Sequence, residues 1–263
     1  MAASTFPVVL SFDVDGEAGV LFRNPENASN PVELSQGRYG VTVGVPRILD
    51  FLLLNDIQAT FFVPGWIADH YPDTVKQILD GGHEVGHHGY LHETLTGVSG
   101  DDEERILVRG LEALEKAAGI RPVGYRAPRL FLTDSSLRLL ERYGFLYSSN
   151  MLDADVPYRH TTRKAGNGMV ELPVDRTLGD AAPYLYSPQI PNAKMMSNAQ
   201  VLDLWCGSAD GLHEYGGYCM MTCHPEITGR PYRMLALRAW VQHVRQLPGA
   251  VFMTAKQLAS TVT

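Results

Sequence analysis

The chain has 263 residues, a length that one (β/α)-barrel domain can fill, and 45% of them are hydrophobic, which supports a large core. Its 22 basic and 29 acidic residues give a net charge of -7, and this balance gives no reason to expect nucleic acid or an anionic membrane as a partner. No apolar run reaches the roughly 18 residues of a membrane span, and the N-terminus lacks a basic region followed by an apolar core, so we expect a cytoplasmic protein.

The first predicted element is a strand at residues 8–12, whose apolar, β-prone sequence ends abruptly in acidic residues. Asp13 and Asp15 follow it, and carboxylates at the carboxyl end of a buried strand lie where barrel enzymes have their catalytic residues. The Asp-x-Asp spacing lets one carboxylate bind a cation while its neighbour stays free as a base. A calcium loop of the EF-hand type is excluded, because Gly16 comes too early and Asn24 stands where the closing glutamate would be.

Strands and helices then alternate along the chain. Residues 23–39 are polar and rich in Asn, Pro and Ser, which predicts a long loop over the end of the first strand. Apolar residues with a helical period predict helices at residues 44–55, 73–80, 102–118 and 135–143. Further strands are predicted at residues 59–63, 81–86, 124–126, 170–173, 218–222 and 250–252. Such alternation is typical of a parallel α/β architecture in which the charged strand ends share one rim.

Residues 83–92 hold four of the nine histidines, a density that packing does not explain. His88 and His92 are four residues apart, so they share a face on a helical turn and can converge on one cation on a turn that leaves a strand. Two imidazoles favour zinc or a similar divalent transition metal. The alternative is a polar loop with incidental histidines, which a third ligand from elsewhere in the chain would exclude.

The chain has three cysteines, Cys206, Cys219 and Cys223. Cys219 and Cys223 share one face of a predicted strand, and we expect buried thiols there. The alternative is a second metal site, but the strand supplies no second pair of ligands for it.

Four short motifs occur in order along nearly the whole chain. They are SFDVDG at residues 11–16, HGYLH at 88–92, GYRAP at 124–128 and MTCHP at 221–225. Together they resemble the motifs of the polysaccharide deacetylase family, also called the NodB-homology family or carbohydrate esterase family 4. The resemblance implies an α/β fold, a distorted (β/α) barrel of seven or eight strands, with a single catalytic domain over residues 1–263.

Two stretches make the chain more similar to the intracellular branch of that family. These are GHEVGHHGYLHE at residues 82–93 and HPEITGRP at residues 224–231. That branch includes allantoinase-like cyclic amide hydrolases and a bacterial peptidoglycan deacetylase homologue. Its members tend to form tetramers, so the resemblance implies a homo-oligomer.

The resemblance also implies roles for six residues. Asp15, His88 and His92 match the ligands of a divalent metal, for which Zn²⁺ is the first choice and Co²⁺, Ni²⁺ and Mn²⁺ are the alternatives. Asp13 matches the catalytic base, and Arg126 matches the arginine that pairs with this base. His224 matches the acid that protonates the departing nitrogen.

Five further residues are candidates for orienting the ligands or contacting substrate: His87, Glu17, Asp153, Asp155 and Asp180. Asp153 and Asp155 are also the candidates for the carboxylate that would raise the pKa of His224.

The chain departs from the family pattern at two places. Val14 separates Asp13 and Asp15, where sugar deacetylases have an adjacent pair, although the intracellular branch shows the same separation. Residues 153–158 lack the tryptophan of the family's substrate motif, which weakens the case for a polymeric glycan.

These observations predict a metal-dependent hydrolase of carbon–nitrogen bonds other than peptide bonds, acting on a small cyclic or linear amide. A polysaccharide or peptidoglycan N-deacetylase, with an N-acetylated sugar as substrate, is the first alternative. A metal-binding protein without catalysis is the second.

Overall fold

The computed structural model describes residues 5–161, 168–184 and 195–263. Within these residues nine strands form one sheet: β1 (Phe6–Asp13), β2 (Thr60–Val63), β3 (Glu84–His87), β4 (Gly124–Tyr125), β5 (Tyr147–Ser148), β6 (Tyr158–Arg159), β7 (Val170–Glu171), β8 (Cys219–Cys223) and β9 (Ala250–Phe252). The α-helices are α1 (Gly16–Arg23), α2 (Pro31–Tyr39), α3 (Val45–Leu54), α4 (Gly65–His70), α5 (Pro72–Asp80), α6 (Gly100–Ala118), α7 (Ser136–Arg142), α8 (Ala181–Tyr184), α9 (Asn198–Glu214), α10 (Pro225–Thr228), α11 (Pro231–Val244) and α12 (Ala255–Ala259). None of the described helices combines the length and apolar character needed to cross a bilayer.

The strands run in the order β6-β7-β5-β4-β3-β2-β1-β8, and β9 pairs with the first residues of β1. Every pair is parallel except the antiparallel pair β6–β7. The predicted α/β fold, a distorted barrel, is confirmed as a mixed α/β fold with a curled sheet. Because the strands are parallel, the carboxyl ends of β1, β3, β4 and β8 meet at one edge of the sheet.

The free edge of β8 is paired by a short segment, residues 178–180, which follows β7 in the chain. Gly179 forms a parallel bridge with Thr222. Thr222 N donates to Leu178 O at 2.9 Å, and Asp180 N donates to Thr222 O at 3.1 Å. We call these two hydrogen bonds the closing bridge, because they cover the free edge of β8 with a segment that follows β7 in the chain.

The side chains of β1 alternate between the two faces of the sheet. Val8, Leu10 and Phe12 pack into the apolar layer between sheet and helices, whereas Val9 belongs to a second cluster inside the barrel. Asp13 therefore points to the interior face, as Val9 does. Cys219 and Cys223 pack in the outer layer as free, buried thiols.

The predicted loop at residues 23–39 is wrong, because most of this segment is helical. Asn30 caps α2 by accepting hydrogen bonds from the backbone N–H groups of Val32 and Glu33, and a proline occupies the first helical position. A π-helical segment, Gly40–Gly44, then joins α2 to α3. The polar sequence thus marks a helix with an exposed face and not an irregular loop.

Candidate active site

Asp15, His88 and His92 form a cluster at the carboxyl edge of the sheet. Each offers one ligand atom, and these atoms lie within 4.8 Å of one another. Asp15 Oδ1 lies 3.4 Å from His88 Nε2, and Asp15 Oδ2 lies 3.0 Å from His92 Nε2. One carboxylate with two imidazoles is the donor set of many catalytic zinc sites, so the cluster could hold a metal ion.

The backbone aims these side chains at one another. His88 Nδ1 lies 2.8 Å from the carbonyl oxygen of Arg126, so a proton on Nδ1 leaves Nε2 as the atom that faces Asp15. His92 has a φ of 60°, in the left-handed region, where a residue with a side chain is strained. Asp15 Oδ1 is buried without a hydrogen-bond partner among the described residues. A buried oxygen without a donor fits a cation between the three side chains.

The carboxylate and the imidazoles of the cluster stabilise one another's charged forms. Burial alone would raise the pKa of Asp15, but the attraction of His92 and the close approach of both histidines outweigh it and hold that pKa well below its usual range. Burial would lower the pKa of His88, but Asp13 and Asp15 outweigh it and raise that pKa. The site therefore favours positive charge beside an ionised Asp15.

Arg126 and Asp13 form a buried ion pair on one side of this cluster. Arg126 Nη1 donates to Asp13 Oδ1 at 2.9 Å and to Ser11 Oγ at 2.8 Å, and Nη2 donates to Ser149 Oγ at 2.9 Å. The guanidinium is fully buried and lies 4.3 Å from the centre of the Phe62 ring. Asp13 Oδ2 lies 4.0 Å from His88 Nε2. One oxygen of Asp13 is thus held by arginine while the other faces the cluster.

His224 approaches the cluster from the other side, after β8. Its Nδ1 lies 2.7 Å from Asp180 Oδ1, and its Nε2 lies 3.9 Å from Asp15 Oδ2. The fully buried Asp180 is held in turn, because its Oδ2 accepts from the His224 backbone N–H at 2.7 Å and from Thr228 Oγ1 at 2.6 Å. Burial would lower the pKa of His224, but Asp180, and then Asp15 and Asp13, raise it well above its ordinary value. The raised pKa favours the imidazolium form of His224, and its Nε2 lies on the side of the cluster.

The structure corrects the carboxylate predicted to pair with His224. Asp180 fills that position, whereas Asp153 and Asp155 are exposed. Asp153 accepts a hydrogen bond from the Tyr158 hydroxyl at 3.0 Å. The carbonyl of Asp155 accepts from Tyr218 N, which precedes β8, so Asp155 lies at the opposite end of that strand from His224.

Glu17 and His87 point away from the cluster. Glu17 accepts from Arg38 at 2.9 Å and from the Tyr71 hydroxyl. His87 Nε2 donates to the carbonyl of Leu107 at 3.0 Å, and its Nδ1 accepts from Gly89 N at 3.1 Å. Burial lowers the pKa of His87 to about 3, so this imidazole stays neutral and fixes the backbone of the turn. Among the described residues, neither side chain forms a hydrogen bond or ion pair with Asp15, His88 or His92.

Glu226 is a neighbour of the site that the sequence analysis missed. It lies two residues after His224, and it borders a small cavity of about 60 Å³ together with Asp15 and His224. Its Oε2 is buried without a hydrogen-bond partner among the described residues. Burial, and then the charge of Asp15, raise its pKa to about 8. An acidic residue beside the strand-end His-Pro was the only signal in the sequence.

A cavity of about 600 Å³ opens over the cluster, which is large enough for a small-molecule substrate. Its floor carries Asp13, Asp15, His88, His92 and His224. The apolar side chains that line it are Phe22, Ala127, Leu130, Val174, Ala181 and Ala182.

Comparisons with known proteins agree with this architecture. The sequence model of the family described as polysaccharide deacetylase matches residues 37–148. A peptidoglycan deacetylase from Helicobacter pylori is 27% identical over 277 residues, which cover 96% of this chain and 94% of that protein.

Solved structures extend the match to the whole chain. A crystal structure from Mycobacterium smegmatis that is assigned as a polysaccharide deacetylase is 37% identical, with a TM-score of 0.93 over 100% of this chain and 93% of that chain. The crystal structure of an allantoinase has a TM-score of 0.80 and 22% identity over 97% of this chain and 89% of that chain, a likeness of fold.

Proposed function

The chain belongs to the polysaccharide deacetylase family, and we propose that it is a metal-dependent hydrolase of the amide bond between an acyl group and a non-peptide nitrogen. One observation carries the proposal. A cluster of Asp15, His88 and His92 lies between a carboxylate held by arginine and an imidazole held by aspartate. This arrangement supplies a base on one side of the cluster and an acid on the other. We extend the proposal to a single catalytic domain over residues 1–263.

The donor set supports zinc as the bound ion, with Co²⁺, Ni²⁺ or Mn²⁺ as alternatives. Asp15, His88 and His92 would hold it, and the unpartnered Oδ1 of Asp15 is the atom that most needs a cation. A divalent ion in this position would polarise the carbonyl of the substrate and lower the pKa of a water molecule.

Asp13 is proposed as the base that accepts the proton of the attacking water. Arg126 occupies Asp13 Oδ1, which leaves Oδ2 to take the proton. Because Arg126 is fully buried and also bonded to Ser11 and Ser149, it cannot swing away during the reaction. The arginine thus fixes the direction of the base.

His224 is proposed as the acid that protonates the leaving nitrogen. A nitrogen anion is too basic to be a good leaving group. A proton must therefore reach this nitrogen as its bond to carbon breaks, so that it leaves as the neutral amine. Asp180 holds Nδ1 of His224, so that Nε2–H points toward the site. The raised pKa of His224 favours the protonated form that this role requires.

Two substrate classes fit the site, and different observations favour them. The cavity of about 600 Å³ and the absence of tryptophan from residues 153–158 favour a small cyclic or linear amide. The similarity to a peptidoglycan deacetylase over 96% of this chain favours an N-acetylated amino sugar. Both classes share the chemistry proposed above, since each presents an amide carbonyl and a leaving nitrogen.

The test compares metal content and turnover in three proteins. Wild type, His92→Ala and Asp13→Asn are loaded with Zn²⁺ or Co²⁺ and assayed with N-acetylated amino sugars, cyclic imides and ureides. We expect wild type to bind about one ion per chain and to hydrolyse at least one class. His92→Ala should lose most of the metal and the activity, whereas Asp13→Asn should keep the metal and lose activity about 100-fold or more. Full metal occupancy in His92→Ala, or wild-type turnover in Asp13→Asn, would contradict the assigned roles.

A further inference from the structure

The rim of the main cavity is cationic although the protein as a whole is acidic. Arg23, Arg129 and Arg176 line the cavity, and of the residues that the structure describes Asp175 is the only acidic one that lines it above the floor. The chain carries 29 acidic and 22 basic residues, so an excess of arginine around one opening runs against its overall charge. Together with a divalent ion on the floor, these three guanidinium groups would make the cavity attractive to anions.

The three arginines have free donors. Among the residues that the structure describes, no carboxylate lies within ion-pair distance of any of these guanidinium groups. Asp175 is engaged elsewhere, because its carboxylate accepts from Thr177 N at 2.8 Å and from the Thr177 hydroxyl at 2.6 Å. Arg23 also borders the small cavity that contains Glu33 and Glu226, and it pairs with neither. The rim arginines are therefore available to a ligand.

Strained backbone holds one of these arginines over the cavity. Arg129 and Leu130 both have a φ of 58°, a left-handed conformation that costs free energy for residues with side chains. The turn is anchored by a hydrogen bond from Ala127 N to Asn150 Oδ1 at 2.7 Å, and by one from Leu130 N to Ala127 O at 2.9 Å. Its effect is to bring both strained side chains, one charged and one apolar, to the cavity wall. Two strained residues in succession indicate a turn shaped for ligand contact.

We propose that the substrate carries an anionic group, a carboxylate or a phosphate, joined to the scissile amide through an apolar body. The inference rests on the hydrolase function proposed above and names the substrate class of the same site. Arginine binds such groups through paired N–H donors, which fits a rim with three unpaired guanidinium groups. Phe22, Leu130 and Val174 add apolar surface to the lining of the same cavity.

Three acetanilides of similar size distinguish the effect of substrate charge from the effect of substrate shape. They are 4-acetamidobenzoate, 4-acetamidophenyl phosphate and the uncharged 4-acetamidobenzamide. Each releases an aromatic amine on deacetylation, which is followed by absorbance in metal-loaded enzyme. The carboxylate and phosphate compounds tell the two anionic groups apart.

The protein variants are Arg129→Gln, Arg176→Gln and the triple variant that adds Arg23→Gln. Glutamine keeps much of the side chain's length and removes the charge. Arg138→Gln serves as the control, because Arg138 is exposed and lies outside the cavity lining. Melting curves of all variants check that each protein is folded.

We expect wild type to favour at least one anionic compound over the neutral one by about tenfold or more in kcat/KM. The triple variant should lose this preference, because its kcat/KM falls more for the anionic compounds than for the neutral one. Arg138→Gln should behave as wild type, and added salt should reduce the preference in wild type. Equal kcat/KM for all three compounds in wild type, or an equal loss for all three in the triple variant, would overturn the inference.

A separate measurement keeps this inference distinct from the hydrolase function. If none of the compounds is cleaved, their dissociation constants are measured by calorimetry with metal-loaded wild type and triple variant. Tighter binding of an anionic compound that disappears in the triple variant supports the charged rim even where hydrolysis of these amides fails. Equal dissociation constants for charged and neutral compounds would refute the proposal that the rim arginines bind an anionic group, whatever the enzyme hydrolyses.

Discussion

His224 gains its orientation and its charge from a single carboxylate. Asp180 accepts from both the side chain and the backbone of His224, and Thr228 fixes the second oxygen of Asp180. A buried carboxylate at 2.7 Å stabilises the imidazolium more than the neutral imidazole. Removal of this charge should therefore change the pH range in which His224 can donate a proton.

We predict that Asp180→Asn moves the alkaline limb of the pH–rate profile to lower pH. The pKa of His224 is raised chiefly by Asp180 against the effect of burial, so a neutral amide should lower it and the acid should lose its proton earlier as pH rises. We expect a shift of about one pH unit or more in kcat/KM, measured with metal-loaded enzyme. Asp153→Asn is the control, since Asp153 is exposed and bonded to Tyr158. An alkaline limb that stays in place in Asp180→Asn would show that another group titrates there.

Motif spacing predicted the residues that the structure brings together, but it missed how they are oriented. Asp13 and Asp15 follow one strand and His88 follows another, so their convergence at one edge follows from the parallel sheet. The predicted partner of His224 was wrong. Which carboxylate reaches His224 depends on the closing bridge, a contact between segments 44 residues apart. A sequence does not show which end of β8 a distant loop will reach.

The π-helical segment Gly40–Gly44 supports the position of His224 through its contact with α10. This π-helical segment packs against α10, which begins directly after His224. A methyl group on Gly44 would overlap the carbonyl oxygen of Pro225, and one on Gly40 would lie 2.9 Å from the Glu226 nitrogen. Glycine at these positions allows the close approach of the two segments.

Gly44→Ala should therefore destabilise the protein by about 1–3 kcal/mol, because the helix must move away from Pro225. Turnover should fall as well, since the same clash acts on Pro225, which follows His224 directly. Chemical unfolding and kcat measure the two effects. Gly207→Ala in α9 is the matched control, because a methyl group there meets nothing within 4 Å. The control should be stabilised by about 0.4–1 kcal/mol, and similar free energies of unfolding for the two variants would argue against the close contact.

Periodicity predicted some elements of every length and missed others, among them the long helices α9 and α11. The helix expected at residues 102–118 is α6 (Gly100–Ala118), and the strand expected at residues 250–252 is β9. The two-residue strands β5 and β6 were missed, although β4 and β7, which are equally short, lie within predicted strands. Their pairing is decided by neighbouring strands and not by their own sequence.

At the scale of the whole molecule, the site rests on a core that does not depend on a metal ion. The largest apolar cluster joins both strands and helices, and the clustered ligands lie on turns at the edge of the sheet. Loss of a cation from such an edge leaves the buried apolar surface intact. Stability and catalysis should thus separate in a chelation experiment.

We predict that a chelator abolishes activity and leaves the far-ultraviolet circular dichroism unchanged. The melting temperature should fall by roughly 5–15 °C, the effect of losing a tightly bound ligand from a protein of this size. Activity and the melting temperature should both return when Zn²⁺ or Co²⁺ is added back. His92→Ala should melt at the same temperature with and without metal. Unfolding of wild type on chelation would mean that the ion is structural.

The closing bridge has a consequence for the breathing motions of the barrel. Asp180 N is one of its two donors, and the side chain of the same residue holds His224. A fluctuation that breaks these two hydrogen bonds would separate residues 178–180 from the edge of β8. The same event would release the imidazole of His224 from Asp180. Amide hydrogen exchange at Thr222 and Asp180 would therefore report how often His224 loses its contact with Asp180 while the protein stays folded.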